Sequence, residues 1–217
     1  EKLIYESQPG FYVTAALFLP NKRKGKTPAI VYCSGHSDLG FRSDTYQTKI
    51  INLVKKGFVV LAFDPLGQGE RMQYPDDEGK WSRIGGPTHE HSYAGAQSFI
   101  NGSSLAKTMI WDGIRSVDYL LTRPEVDPQR VGMTGRSGGG TQTAYIAAFD
   151  DRIQAAAPEA YITRMETLLI TRGPQDAEQD LPDFVQNELD LSDYLIARAS
   201  KPTLIISTSR DFFSIEG

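Results

Sequence analysis

The run Gly135-Arg136-Ser137-Gly138-Gly139 lies between an apolar stretch ending at Thr134 and an alanine-rich stretch reaching Phe149. Gly-x-Ser-x-Gly between a strand and a helix makes a nucleophile elbow, a turn so sharp that the serine Oγ stands exposed above a parallel sheet. A side chain at Gly135 or Gly139 would collide with the neighbouring helix and strand, so both positions require glycine. Ala144, Ala147 and Ala148 let the following helix lie close on the sheet. A phosphate-cradling loop is the other glycine-rich possibility, but it needs Lys followed by Ser or Thr after its last glycine. Here Gly140 is followed by Thr141 and Gln142.

The rest of the chain alternates strand and helix patterns around this turn. Residues 3–5 and 11–19 are β-branched and aromatic around Pro9-Gly10, which predicts a hairpin. Residues 29–33 and 58–63 are continuous apolar runs, as in strands buried on both faces of a parallel sheet. Between them Tyr46, Ile50, Leu53 and Val54 mark one face of a helix over 45–56, stopped by Gly57. A second helix is predicted over 104–122, with strands over 130–134, 152–157 and 202–207, and short helices and loop over 163–199. Residues 72–103 read as a long irregular loop, of the kind that is usually functional or mobile. Its Trp81, Tyr93 and Phe99 either form a sugar-stacking wall or anchor the loop. The alternation predicts an α/β class with a mostly parallel sheet, helices on both faces and one domain over 1–217.

A net charge of −4 without a basic block excludes the usual nucleic-acid partners. No apolar run approaches the 18 residues of a membrane span. Cys33 is the only cysteine, which excludes an internal disulfide and suits a buried structural thiol. The expected partner is a small or neutral molecule, and no cofactor is called for. Nothing in the composition selects an oligomeric state or a compartment.

Ligands of open α/β sheets bind at the carboxyl ends of the strands, where the predicted order places His36, Asp64, Ser137, Glu159 and Asp211. A serine needs an imidazole base and a carboxylate to orient that base, in the order Ser, acid, His for this elbow. Asp211 is the candidate acid, with a turn-capping role as the alternative, and Glu159 is its rival. His36, His89 and His91 all precede Ser137, so the catalytic histidine is expected beyond residue 217 and the chain is expected to be a fragment. The oxyanion donors are expected to be the N–H of Gly138 and that of His36 or Ser37. Ser37 and Arg136 are the substrate-contact candidates, although a salt bridge to a neighbouring acid suits Arg136 equally. Asp64 is read as structural. His89 and His91, two apart and without Glu-x-x-His or cysteine partners, predict no zinc site and are read as part of a solvated or substrate-lining loop.

Ser34-Gly35-His36, Asp64-Pro65-Leu66-Gly67-Gln68-Gly69-Glu70-Arg71, residues 123–132 (RPEVDPQRVG) and Gly135-Arg136-Ser137-Gly138-Gly139-Gly140 resemble the α/β-hydrolases. More narrowly they are similar to the bacterial acetyl xylan esterase-like group, related to the prolyl oligopeptidase and dienelactone hydrolase branches. Residues 173–179 (GPQDAEQ) and 208–213 (TSRDFF) share that likeness. The resemblance implies a serine hydrolase of esters, acetyl groups on glycans among them, with Ser137 as nucleophile and Asp211 as acid. It also implies a secreted or periplasmic location and a further C-terminal stretch with the histidine, a last helix and a last strand. The alternatives are a prolyl oligopeptidase-like peptidase, whose propeller domain this chain has no room for, and a non-catalytic relative that binds a glycan or partner. Arg136 precedes the serine, whereas glucuronoyl esterases carry the arginine after it, which speaks against uronic-acid esters.

Expressed alone, these 217 residues are expected to hydrolyse p-nitrophenyl acetate only weakly, because a serine without its base keeps little beyond the oxyanion hole. Turnover equal to that of the full gene product would return His36 to consideration as base.

Overall fold

The apolar runs form strands and the i, i+4 patterns form helices in the computed structural model, which describes residues 1–216. β1 (Lys2–Gln8) and β2 (Phe11–Phe18) make the expected antiparallel hairpin across Pro9-Gly10. β3 (Thr27–Cys33), α1 (Asp44–Lys55) and β4 (Val59–Phe63) make a parallel unit, and α1 ends before Gly57 at φ 99°. After α2 (Pro87–Ile100) and α3 (Leu105–Leu121) come β5 (Val126–Arg136), α4 (Gly138–Phe149) and β6 (Ala155–Glu159). The short helices α5 (Met165–Thr171) and α6 (Asp193–Ala197) follow. The sheet order is β1-β2-β4-β3-β5-β6, with β2 antiparallel to β4 and the strands from β4 to β6 parallel.

Strand alternation divides the core into two layers. Val60 and Ala62 of β4 join Tyr32, Phe41, Tyr46 and Ile50 beneath α1. Val59, Leu61 and Phe63 face the other way, against Met109, Val117 and Leu120 of α3 and Ala144 and Ile146 of α4. All of β4 is buried, and each large apolar side chain so placed contributes about 1.5–3 kcal/mol. Cys33 lies in the second layer as the expected inert thiol, and burial pushes its pKa up to about 12.

Several expectations need correction. Residues 72–103 are not irregular throughout, because Gly86 and Pro87 start the helix α2. Its buried residues are Glu90, His91 and Gly95, so it has no apolar stripe for a periodicity argument to detect. His91 therefore sits buried on a helix and not in a solvated loop, while His89 is exposed. Trp81, Tyr93 and Phe99 are each more than half exposed, so none of them anchors this segment in the core. β6 begins at Ala155 rather than near 152, because a turn closed by Ile153 N–H to Asp150 O precedes it. Residues 202–207 run parallel to β6 but pair with it only at Thr203 and Ile206. There Leu204 N–H donates to Ala156 O and Ile206 N–H to Pro158 O.

α3 is tied to the loop after β4 by Arg71, whose Nη2 donates to Asp112 Oδ2 at 2.8 Å; both side chains are almost wholly buried. Asp112→Ala leaves that guanidinium buried without its counter-charge and is expected to cost about 3–5 kcal/mol of unfolding free energy. Urea denaturation of the variant beside the wild type measures the loss.

Candidate active site

β5 delivers Ser137 to the carboxyl end of the sheet and α4 leaves from it at once. Ser137 has φ 56° and ψ −121°, a backbone state that costs a non-glycine residue about 1–3 kcal/mol. Bonds on both sides hold it there: Ser137 N–H donates to Glu159 O at 2.9 Å, and Thr141 N–H donates to Ser137 O at 2.9 Å. The flanking glycines admit the carbonyl of Cys33, since a Cβ on Gly135 or Gly139 would stand 2.2 or 2.1 Å from its oxygen. Among the described residues no hydrogen bond engages Ser137 Oγ.

The loop after β3 packs against this turn. A Cβ on Gly35 would fall 2.5 Å from Arg136 O and 3.4 Å from Gly138 N, which places His36 beside the start of α4. Gly138 N–H is the first amide of that helix, where no intrahelical acceptor exists. Of the two amides expected to complete an oxyanion hole, that of Ser37 is already spent, donating to Gln68 Oε1 at 2.7 Å. Ser37 Oγ accepts from Leu39 N–H at 3.2 Å. His36 N–H is left as the candidate donor, and Gln68, from the loop after β4, is a positioning residue the sequence did not single out.

Arg136 and Glu159 are neighbours: Nε lies 3.5 Å from Glu159 Oε1, and Lys49 Nζ donates to Glu159 Oε2 at 2.5 Å. The salt-bridge reading of Arg136 is thus realised, although nearly half of its side chain remains exposed. Glu159 itself is held between two cations. Asp64 is wholly buried and structural, accepting from Thr14 Oγ1, Phe41 N–H, Arg42 Nη2 and Glu70 N–H. Burial raises its pKa even so, because it outweighs the nearby Arg42. The carboxylate of Asp211 accepts from Thr208 Oγ1 at 2.7 Å and Phe213 N–H at 3.3 Å, the turn-capping geometry.

The largest departure from expectation is a cluster behind Gly138. His36 Nε2 lies 3.2 Å from His91 Nδ1, 3.2 Å from Asp176 Oδ2 and 3.4 Å from Glu178 Oε1. Burial pulls the His36 pKa down, but Glu178 and Asp176 outweigh it and lift the imidazole to about 9. Burial also raises Glu178, whereas Asp176 is held below the usual carboxylate range because its two imidazole partners outweigh the desolvation. The expectation of no zinc site rested on the spacing of His89 and His91 and on the lack of Glu-x-x-His or cysteine partners near them. It could not anticipate a cluster drawn from three separate segments.

An apolar groove of about 660 Å³, lined by Ile30, Leu53, Phe58, Met133 and Leu204, runs over the α1 face of the sheet. No candidate catalytic residue borders it, so chemistry rather than cavity shape singles out the Ser137 edge. Among the described residues no helix is long and apolar enough to cross a membrane.

Residues 2–186 match the family model described as acetyl xylan esterase. YtaP of Bacillus subtilis, a hydrolase candidate, is 28% identical over 160 residues, which are 69% of this chain and 47% of YtaP. The methylesterase BT1017 superposes with a TM-score of 0.76 at 25% identity, over 97% of this chain and 42% of that one. BF1801 of Bacteroides fragilis, an acetyl xylan esterase candidate, gives a TM-score of 0.77 at 19% identity, over 94% of this chain and 58% of that one. The architecture is therefore that of the α/β-hydrolases, and the chain spans about half the length of these relatives.

Gly139→Ala sets a Cβ against the Cys33 carbonyl, a backbone atom that cannot swing aside. The substitution is expected to destabilise the protein by at least about 1–3 kcal/mol, read as a lower thermal midpoint. An unchanged midpoint would mean that the turn is looser than its contacts indicate.

Proposed function

The chain belongs to the acetyl xylan esterase family, and we propose that Ser137 is the nucleophile of a serine ester hydrolase that removes acetyl groups from carbohydrate. The observation that carries this reading is the strained backbone of Ser137 between β5 and α4, which lifts its Oγ clear of internal partners. The substrate class is a small-molecule or glycan ester.

In the proposed reaction Ser137 Oγ attacks the acyl carbon while its proton passes to an imidazole base. The charge that forms on the carbonyl oxygen is taken by the N–H groups of Gly138 and His36, which are fixed before the reaction starts. Collapse of the tetrahedral intermediate expels the sugar alcohol, which takes the proton back from the imidazole. Water, activated by the same base, then cleaves the acyl-enzyme. Asp211 is assigned to orient the base, its carboxylate having acceptor sites beyond the two turn bonds. The base is assigned to the part of the protein outside these residues, since among the described residues no imidazole hydrogen-bonds Ser137 Oγ and the rings of His36 and His91 are engaged with each other and with Asp176. Arg136, with one edge toward Glu159 and nearly half of its side chain exposed, is assigned to a substrate hydroxyl, and Ser37 to a contact through its Oγ.

The test is fluorophosphonate labelling of the full-length protein, with release of acetate from acetylated xylan measured in parallel. Ser137→Ala is expected to abolish labelling and to lower turnover at least about 10³-fold. Labelling of Ser137→Ala as strong as wild type would show that another residue is the nucleophile.

A further inference from the structure

We infer that His36, His91, Asp176 and Glu178 form a binding site for one divalent transition-metal ion of the zinc class, which pins the oxyanion loop to the wall of the active site. The four side chains come from three segments: the loop after β3, the helix α2 and the loop after α5. One donor atom from each lies within 4.8 Å of all the others. Bonds of about 2.0–2.1 Å to a tetrahedral ion put neighbouring ligand atoms about 3.3–3.4 Å apart. The contacts here, taken to the nearer oxygen of each carboxylate, are 3.2, 3.2, 3.4, 3.2 and 3.8 Å, the last two from His91 Nδ1 to Asp176 Oδ1 and Glu178 Oε2.

Orientation of the groups carries the argument further. His91 Nε2–H donates to Leu66 O at 2.7 Å, so in the neutral ring Nδ1 presents a lone pair to the cluster. That is the outer-shell arrangement which fixes the tautomer of a ligating histidine. Asp176 Oδ1 accepts from Glu178 N–H at 2.9 Å, a tight turn that brings both carboxylates to one side. Glu178 is wholly buried, and neither of its oxygens has a hydrogen-bond partner. The other deeply buried acids do have donors: Asp64 meets four, Glu90 accepts from Gln73 and Tyr74 N–H, and Asp112 pairs with Arg71. The His36 and His91 rings stand 3.4 and 3.8 Å from Glu178 without forming a hydrogen bond, and a buried charge without hydrogen bonds is costly. With both imidazoles neutral the four side chains carry two negative charges, which one dication neutralises.

Two imidazoles and two carboxylates suit zinc and its first-row neighbours better than calcium or magnesium. Four protein ligands complete a tetrahedral shell, the form of a structural site without an open catalytic position. The consequence lies at Gly138, where a Cβ would be 2.5 Å from Glu178 Oε1 and 3.1 Å from His36 Cε1. Holding the His36 ring therefore holds its N–H, the candidate oxyanion donor, against the start of α4. His36 is thus both a ligand through its ring and an oxyanion donor through its backbone.

The site stands apart from the ester-hydrolase reading, and zinc itself is the probe. Full-length protein stripped with chelator and dialysed is titrated with zinc chloride by calorimetry, with the thermal midpoint read on the same samples. Expected are one equivalent bound with a submicromolar Kd, release of protons on binding and a raised midpoint. Glu178→Gln, nearly isosteric, and His91→Ala are each expected to weaken binding by more than about 100-fold, beyond the 10–100-fold of an outer-shell loss. No binding by folded wild type would overturn the inference and leave protons as the occupants of the cluster. Unchanged affinity in both variants would overturn it by placing the zinc elsewhere. Fluorophosphonate labelling of the wild type, run in parallel, reports on Ser137 whatever the zinc result.

Discussion

The carbonyl oxygen of Cys33 at the end of β3 touches the positions of Gly135 and Gly139, and this close approach of three backbone segments is what the candidate site depends on. It allows β5 to turn into α4 within one residue, and it fixes Ser137 in a conformation that a free chain would avoid. The cost is met by the surrounding architecture: the parallel pairing of β3 with β5, the bond from Ser137 N–H to Glu159 O, and the apolar layer under α4. The same approach brings the loop carrying His36 against the first amide of α4. Ser137 and the amides of Gly138 and His36 are therefore placed by one packing event.

Electrostatics at the strand ends follows the same economy. Glu159, whose backbone carbonyl accepts from Ser137 N–H, is paired with Lys49 and Arg136, so its carboxylate charge is balanced close to the turn. Asp64 is buried, with its charge spread over backbone and side-chain donors from β2 and two neighbouring loops. Gln68 then takes the Ser37 amide and leaves that of His36 directed elsewhere. These polar groups fix the loops on either side of Ser137 through hydrogen bonds to their backbone and side chains.

How much of this was legible depended on where each residue writes its signal. α1 announces itself through Tyr46, Ile50 and Leu53, β4 through an unbroken apolar run, and the elbow through glycines whose need is local. α2 was missed because it buries Glu90, His91 and Gly95, so hydrophobic periodicity had nothing to report. The cluster at His36 was missed for another reason: its members lie 55 and 85 residues apart, and no spacing rule spans such distances. The GPQDAEQ run supplied a likeness without a role, because only folding brings Asp176 and Glu178 to His91. For Asp211 the turn-capping alternative was visible beforehand and is the arrangement found.

The polar underside of α2 also sets how this molecule comes apart. A helix such as α3 is bound by a continuous apolar face and opens only when the core does. α2 is held instead by bonds such as Glu90 to the Gln73 and Tyr74 amides and His91 to Leu66, with little apolar area to lose. An element held in this way is expected to open locally at lower cost than α3. Its local opening would part His91 from His36 while the sheet, and the serine it strains, stayed intact.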